Sequence, residues 1–454
     1  MNQPPTRSEI SDLPVELFVY TLSLVAGFSA GDASRLLLVS RRVREVILAT
    51  PSLWTRVAFV LRADALTSIL TGIDQALENS ATLPLTLVFS VAALPSVVVL
   101  NQVVRRVFSS GSRWRIMRIT FIGECNMSHP QSWILGLWTL TEAAGGASPF
   151  TRMEELNMDS TDACVHQLGR LTPYNVEHLH FPRLFPNLRK LRLVNASFQN
   201  ACKLGAQLAI TSLEELELVG IFWQASTFLV RDILEKVPGL RVLKFKAREV
   251  NYRVVSSQVG DSPLVITLHA CLERLTLGGP QDFLKNQLRS LNCSSLIGLV
   301  LKWKPTRNTS ANPPEPFDLV GEVLEMVSRS RCRLASLRLE KFALSNDDLV
   351  RLFVELPHLR TIYLILRDGG GANGGFLADL LVRSNSEPIL PRLERLSVST
   401  IPERAGGTPY TFPSNGFVDF VQDERRSGQG PFARLRKATL AFQPAGVVFS
   451  QVRP

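Results

Sequence analysis

Apolar residues recur along this chain in a phrase of constant shape: one leucine, a second three residues on, and a third two beyond that. Clear copies are Leu188/Leu191/Leu193, Leu213/Leu216/Leu218, Leu240/Leu243/Phe245, Leu272/Leu275/Leu277, Leu296/Leu299/Leu301 and Leu334/Leu337/Leu339. Looser ones are Trp114/Met117/Ile119, Met153/Leu156/Met158, Leu359/Ile362/Leu364, Leu393/Leu396/Val398 and Leu435/Ala438/Leu440. The last two positions of a phrase are two apart, so they share one face of a short strand. The first enters the same core from the preceding turn. A single such strand cannot hide its apolar face, whereas copies stacked in parallel make a continuous core, with each crossover passing outside.

The residues between phrases fit that scheme. Ser226–Val237 and Phe317–Ser328 have helical spacing, and Ser345-Asn346-Asp347-Asp348 is a capping box for a helix ending before Pro357. Pro186, Pro238, Pro357 and Pro391 precede phrases, which suits a stop between helix and strand. Start-to-start spacings in the stretch from Leu188 to Leu435 run from 24 (Leu272 to Leu296) to 42 (Leu393 to Leu435). The shorter ones lie in the range of leucine-rich repeats, and the longer ones need insertions. Loops are expected at 304–316, 368–375, 401–414 and 422–430, with fraying after Phe442. The glycines of 368–375 lack the Lys-Ser/Thr of a phosphate-cradling loop. The expected fold is therefore α/β, a solenoid with a curved parallel sheet and outer helices and loops.

Residues alternating with the leucines would face the concave side. They are Glu155, Asn157 and Asp159, then Lys190, Arg192, Glu215, Glu217, Lys244, Lys246, Arg274, Lys302, Arg338, Glu340, Tyr363 and Arg395. Their signs alternate over the first four strands. A nucleic-acid groove would favour one sign throughout, whereas a mixed stripe suits a protein partner. Lys190, Arg192, Glu215, Glu217, Lys244, Lys246, Arg274, Lys302, Arg338 and Tyr363 are the candidate target-binding residues.

The stretch 11–57 differs from the rest. Leu13–Val25 and Ala33–Leu48 read as two short amphipathic helices, the first capped by Ser11 or Asp12 with Pro14 at an early position. Gly27 and Gly31 punctuate the turn, and Arg41, Arg42 and Arg44 point to solvent. A unit of about 45 residues is marginal by itself and should pack against something else. Between Ala81 and Val104 no residue is charged, but Pro84 and Pro95 argue for a buried strand followed by a helix rather than a membrane span.

Composition narrows the function. Of 454 residues 45% are apolar, enough for a sizeable core, and the net charge of +10 (50 basic, 40 acidic) is mild for this length. The six cysteines form no Cys-x-x-Cys pair, which reads as single buried thiols in a reducing compartment. The first ten residues lack the apolar core of a signal peptide, so Asn195-Ala196-Ser197 carries little weight as a glycosylation site. His178 and His180 would share a strand face, without an acidic or Cys partner at metal-like spacing. No nucleophile elbow, dinucleotide fingerprint or P-loop is present. These features suggest a non-enzyme with no cofactor and no metal, binding neither nucleic acid nor membrane.

The succession LPVELFVYTL, LLLVSRRVREVI and TPSLWTRV resembles the F-box, in the form found in fungal F-box proteins with degenerate leucine-rich repeats. LPLTLVFSV and SRWRIMRITF resemble the segment joining box to repeats. Thr21 departs from the aliphatic residue usual there. The resemblance implies a substrate receptor of a Skp-cullin-F-box ubiquitin ligase, with the box on the Skp adaptor, a cullin held through it, and the repeats on a protein target. It places adaptor contacts at Leu13, Pro14, Leu17, Leu22, Leu38, Val39 and Val43, with Trp54 closing the box. The implied organisation is a disordered tail (1–10), F-box (11–57), linker and first degenerate repeat (58–110), leucine-rich repeats (111–442) and a tail (443–454), in a cytoplasmic or nuclear protein. The alternative is a repeat scaffold outside any ligase, with a vestigial box.

Overall fold

The computed structural model describes residues 13–24, 28–62, 65–91, 97–122, 129–160, 181–194, 208–221, 229–247, 267–304, 318–367, 389–401, 436–442 and 448–452. The protein is a mixed α/β fold dominated by parallel strands, and it divides into two compact units, Met1–Leu213 and Glu214–Pro454.

In the first unit, three short helices, α1 (Val15–Leu24), α2 (Ala30–Leu36) and α3 (Arg41–Leu48), lead through a 3₁₀ turn at Pro51–Trp54 into β1 (Arg56–Leu61). Next come α4 (Leu66–Asn79), β2 (Leu85–Val91), α5 (Val97–Ser109), β3 (Trp114–Phe121), α6 (His129–Ala143), β4 (Glu155–Ser160), α7 (Phe181–Leu184) and β5 (Lys190–Val194). Strands β1 to β5 pair in chain order, all parallel. Burial in β2 alternates strictly, with Leu85, Leu87, Phe89 and Val91 inward, as a strand with one covered face requires. Arg113 donates to Leu77 O (2.6 Å), Ser80 Oγ (2.8 Å) and Leu83 O (2.9 Å), tying the end of α4 to the start of β3.

The second unit runs β6 (Glu215–Ile221), α8 (Leu229–Lys236), β7 (Val242–Ala247), β8 (Thr267–Leu268), β9 (Arg274–Gly279), α9 (Gln281–Ser290), β10 (Leu291–Asn292) and β11 (Gly298–Trp303). It continues with α10 (Leu319–Ser330), β12 (Ser336–Phe342), α11 (Asn346–Glu355), β13 (Thr361–Arg367), β14 (Arg395–Ile401), β15 (Lys437–Phe442) and β16 (Val448–Val452). The main sheet has the order β6-β7-β9-β11-β12-β13-β14-β15-β16, parallel throughout except for the last pair. The short β8 and β10 pair separately.

Register follows the phrases. Leu216, Leu243, Leu275, Leu299, Leu337, Ile362 and Leu396 lie opposite one another from strand to strand, and so do Leu218, Phe245, Leu277, Leu301, Leu339, Leu364 and Val398. All of these are buried, as are the phrase-opening Leu213, Leu240, Leu272, Leu296, Leu334, Leu359 and Leu393. Each contributes about 1.5–3 kcal/mol by leaving water. A one-residue slip would turn a whole strand's leucines outward, so the pattern fixes the pairing. The residue after each opening leucine extends the ladder: Arg241 N bonds to Glu214 O, Glu273 N to Arg241 O, Ile297 N to Glu273 O and Ala335 N to Ile297 O.

Several details depart from the sequence expectation. The segment expected as one helix over Ala33–Leu48 is two. Ser29 and Asp32 form a capping box that opens α2 at Ala30, so Gly31 lies inside a helix, and Ser40 accepts from Val43 N to start α3 afresh. The helix expected at Phe317–Ser328 is Leu319–Ser330, because the Asp318 carboxylate caps it by accepting from Gly321 N at 2.7 Å. A Cβ at Gly321 would collide with that carboxylate. Beyond Phe442 the chain forms β16, antiparallel to β15, rather than fraying there. Cys271 is exposed, against the expectation of buried thiols, while Cys293 and Cys332 are buried. Residues 1–10, Ser11, Asp12, Gly27, His178, His180, Asn195 and most of the expected loops lie outside the described residues.

Candidate functional site

Two surfaces on the described residues combine exposure with specific chemistry. The first is the N-terminal helical group. Its core is small: Ala30, Ala33, Val43, Ile47, Leu53 and Trp54 are buried, and the Trp54 Nε1 donates to Ile47 O at 2.9 Å. Ser34 Oγ bonds to Gln75 Oε1 at 3.0 Å and so fastens α2 to α4. Helix α1 buries none of its residues. Leu13, Pro14 and Leu17 are exposed, and Leu22 is half-buried. Leu38 and Val39, in the turn between α2 and α3, are 82% and 65% exposed. Arg42 Nη2 donates to Leu13 O at 3.1 Å, which holds the start of α1 near that turn. The geometry sorts the candidate adaptor residues. Leu13, Pro14, Leu17, Leu38 and Val39 present apolar surface to solvent, whereas Val43 is only 7% exposed and belongs to the unit's own core. Tyr20 and Leu24, four apart on α1, are 60% and 64% exposed and enlarge the surface. Their signal was a helix apolar on more than one side, which a small core cannot cover.

The second surface is the sheet face opposite the buried leucines. In the first unit it carries Arg118 against Glu155 (2.9 Å) and Arg192 against Asp159 (3.7 Å), with Lys190 exposed beside Glu155 in register. In the second unit Glu217 meets Lys244 at 3.2 Å. Lys246, Gly278, Lys302 and Glu340 lie opposite one another on β7, β9, β11 and β12. Glu340 is the focus: its carboxylate lies 2.8 Å from Lys302 Nζ and 2.6 Å from Arg338 Nε, in a residue 7% exposed. Burial alone would push this carboxyl up, but Lys302 and Arg338 outweigh it and hold Glu340 below the ordinary carboxylate value. Arg338 also stacks over Tyr363, 4.1 Å from the ring centre, and Arg367 stacks over Trp303 at 4.6 Å. Arg274 is exposed. The strand spacing thus brings Lys244, Lys246, Arg274, Lys302, Arg338 and Tyr363 onto one face, and Glu215 and Glu217 lie on the same face of β6.

Among the described residues no set of three or more His, Cys, Asp and Glu is placed to hold a metal ion. Burial pushes the Cys293 thiol up to about 12, with Cys332 adding to the effect, and it raises Cys332 as well, so both are poor nucleophiles. The buried His269 sits 3.1 Å from Val237 O, and burial lowers its pKa. No helix of the described residues is long and apolar enough to cross a membrane. No family model matches the sequence, and no curated protein matches it significantly.

Proposed function

We propose that this chain is the substrate-recognition subunit of a Skp-cullin-F-box ubiquitin ligase. The helical group at its start is the F-box, docking on the Skp adaptor, and the strands are leucine-rich repeats that bind a protein target. On this reading the chain supplies no chemistry itself. It raises the local concentration of the target at a ligase assembled on the cullin. The reading rests on the residues that resemble the box, and the observation that carries it is the apolar set Leu13, Leu17, Leu38 and Val39, exposed on a group whose core is already closed by Trp54. Solvent-facing leucines of this kind are costly unless a partner covers them. The free thiols Cys271, Cys293 and Cys332 suit a reducing compartment, cytoplasm or nucleus.

The test is co-expression with the Skp adaptor and gel filtration of the product. The parent chain should co-elute with the adaptor. Leu13→Ala/Pro14→Ala and, separately, Leu38→Asp/Val39→Asp should lose it while keeping the parent's thermal transition. Co-elution that survives both pairs of changes rejects the box assignment.

A second reading, a repeat scaffold outside any ligase with a vestigial box, is favoured by one observation: Val43, an expected adaptor contact, is committed to the core. It predicts a parent chain that never captures the adaptor.

A further inference from the structure

We infer that the exposed sheet face of the second unit, over β7, β9, β11 and β12, binds an extended acidic segment of a protein. Calling that protein the ligase target rests on the function proposed above; the binding itself does not.

The argument begins with charge. The outward positions of β6 through β15 include Lys244, Lys246, Arg274, Lys302, Arg338, Arg367, Arg395 and Lys437, against only Glu215, Glu217 and Glu340. Glu217 is engaged by Lys244, and Glu340 by Lys302 and Arg338. Lys246 and Arg274 have no acidic partner among the described residues and stand in the middle of the basic excess.

The second element is the pair of glycines that flank these two basic residues. Gly278 lies between Lys246 and Lys302 in register, and Gly298 lies beside Arg274. A Cβ on Gly278 would come within 3.2 Å of Lys246 Cγ, and one on Gly298 within 3.7 Å of Arg274 Cγ. The aliphatic stem of Lys246 therefore packs against the buried Gly278, and Arg274 stands at ordinary contact distance from the half-buried Gly298. An extended chain lying on this face can set carboxylates against Lys246 and Arg274. A nucleic acid fits less well, because the ring of Tyr363 is covered by Arg338 instead of being open for base stacking.

The experiment uses the full chain and a fluorescein-labelled peptide of alternating Glu and Ser, followed by fluorescence anisotropy. Binding should weaken at least about tenfold when Gln replaces Glu in the peptide, or when the protein carries Lys246→Glu/Arg274→Glu. Lys285→Glu/Arg351→Glu, an equal change of net charge placed on the helices α9 and α11, should leave it unchanged. Lys246→Gln/Arg274→Gln, with the parent's circular dichroism, guards against a folding artefact and should also weaken binding. Equal binding of the Gln peptide, or equal loss in the Lys285/Arg351 variant, overturns the proposal. So does a single-stranded oligonucleotide that binds more tightly and depends on the same two residues. Adaptor capture measured on the same preparations keeps the two ideas apart. The Lys246/Arg274 variant should still capture the adaptor, and a parent chain that binds the peptide but no adaptor defeats the ligase reading alone.

Discussion

Trp54 and Trp114 make the same bond at two helix-to-strand joints: each indole Nε1 donates to the carbonyl seven residues earlier, Ile47 O and Val107 O, at 2.9 Å in both cases. Both side chains are fully buried, one ahead of β1 and the other at the start of β3. Each adds a shorter bond to a carbonyl near the end of a helix that also accepts a longer one, Ile47 O from Thr50 N and Val107 O from Ser110 Oγ, both at 3.3 Å. Helix α3 therefore joins β1 by the device that joins α5 to β3.

Phe at either position keeps most of the ring and loses the donor. Trp54→Phe and Trp114→Phe should each cost about 1–3 kcal/mol, and Trp54→Ala about 3–5 kcal/mol, read from urea denaturation midpoints. A cost near zero for both Phe variants would mean that the bonds from Thr50 N and Ser110 Oγ already satisfy the two carbonyls.

Glu340 gives the second unit an acid sensitivity. Its folded pKa lies below the unfolded value, so its contribution is complete above about pH 4.3 and is lost as pH falls through the lower folded value. Unfolding free energy measured across that range should fall less steeply in Glu340→Gln than in the parent. At neutral pH, Lys302→Met should cost about 1–2 kcal/mol, since Arg338 still pairs the carboxylate. Identical pH profiles for parent and Glu340→Gln would show that the pair contributes nothing.

Gly111 sits against a rigid ring: a Cβ there would lie 2.6 Å from Pro149 Cβ and Cγ. Gly111→Ala should destabilise by about 1–3 kcal/mol through overpacking. A thermal transition equal to the parent's would show that the Pro149 turn yields freely.

Ser345 and Asp348 cap α11 reciprocally, with Ser345 Oγ 2.7 Å from the Asp348 carboxylate and Asp348 N 3.1 Å from Ser345 Oγ. Ser345→Ala should cost about 1 kcal/mol and Ser345→Asp much less, because Asp also caps. If the two variants match in stability, hydroxyl capping is not the source.

The strands were legible because their signal is local and repeated. Leu243 and Phe245, or Leu337 and Leu339, need only a period of two to declare their face, and the recurrence supplies the register. Ser345 was legible for the same reason, since a capping box is complete within four residues. The division at Ser40 was not, because Leu37, Leu38 and Val39 continue an apolar run that looks helical, and only the hydroxyl bond to Val43 N ends it. Strand β1 followed directly on apolar helices and lacked the phrase, and β16 has neither leucine phrase nor helix to announce it. For the exposed face, the alternating positions were foreseeable. The packing of Lys246 against Gly278 was not, since it follows only from the pairing of β7 with β9. Val43 shows the limit of a family resemblance: the motif names the position, while burial decides whether the side chain is offered outward.

The antiparallel course of β16 bears on how such a chain can lengthen. A parallel array grows by duplicating a helix-and-strand cassette, and the new copy must be flanked by strands of one direction. Beside β16 that condition fails, so within the second unit a duplicated cassette keeps parallel neighbours only among the strands from β6 to β15.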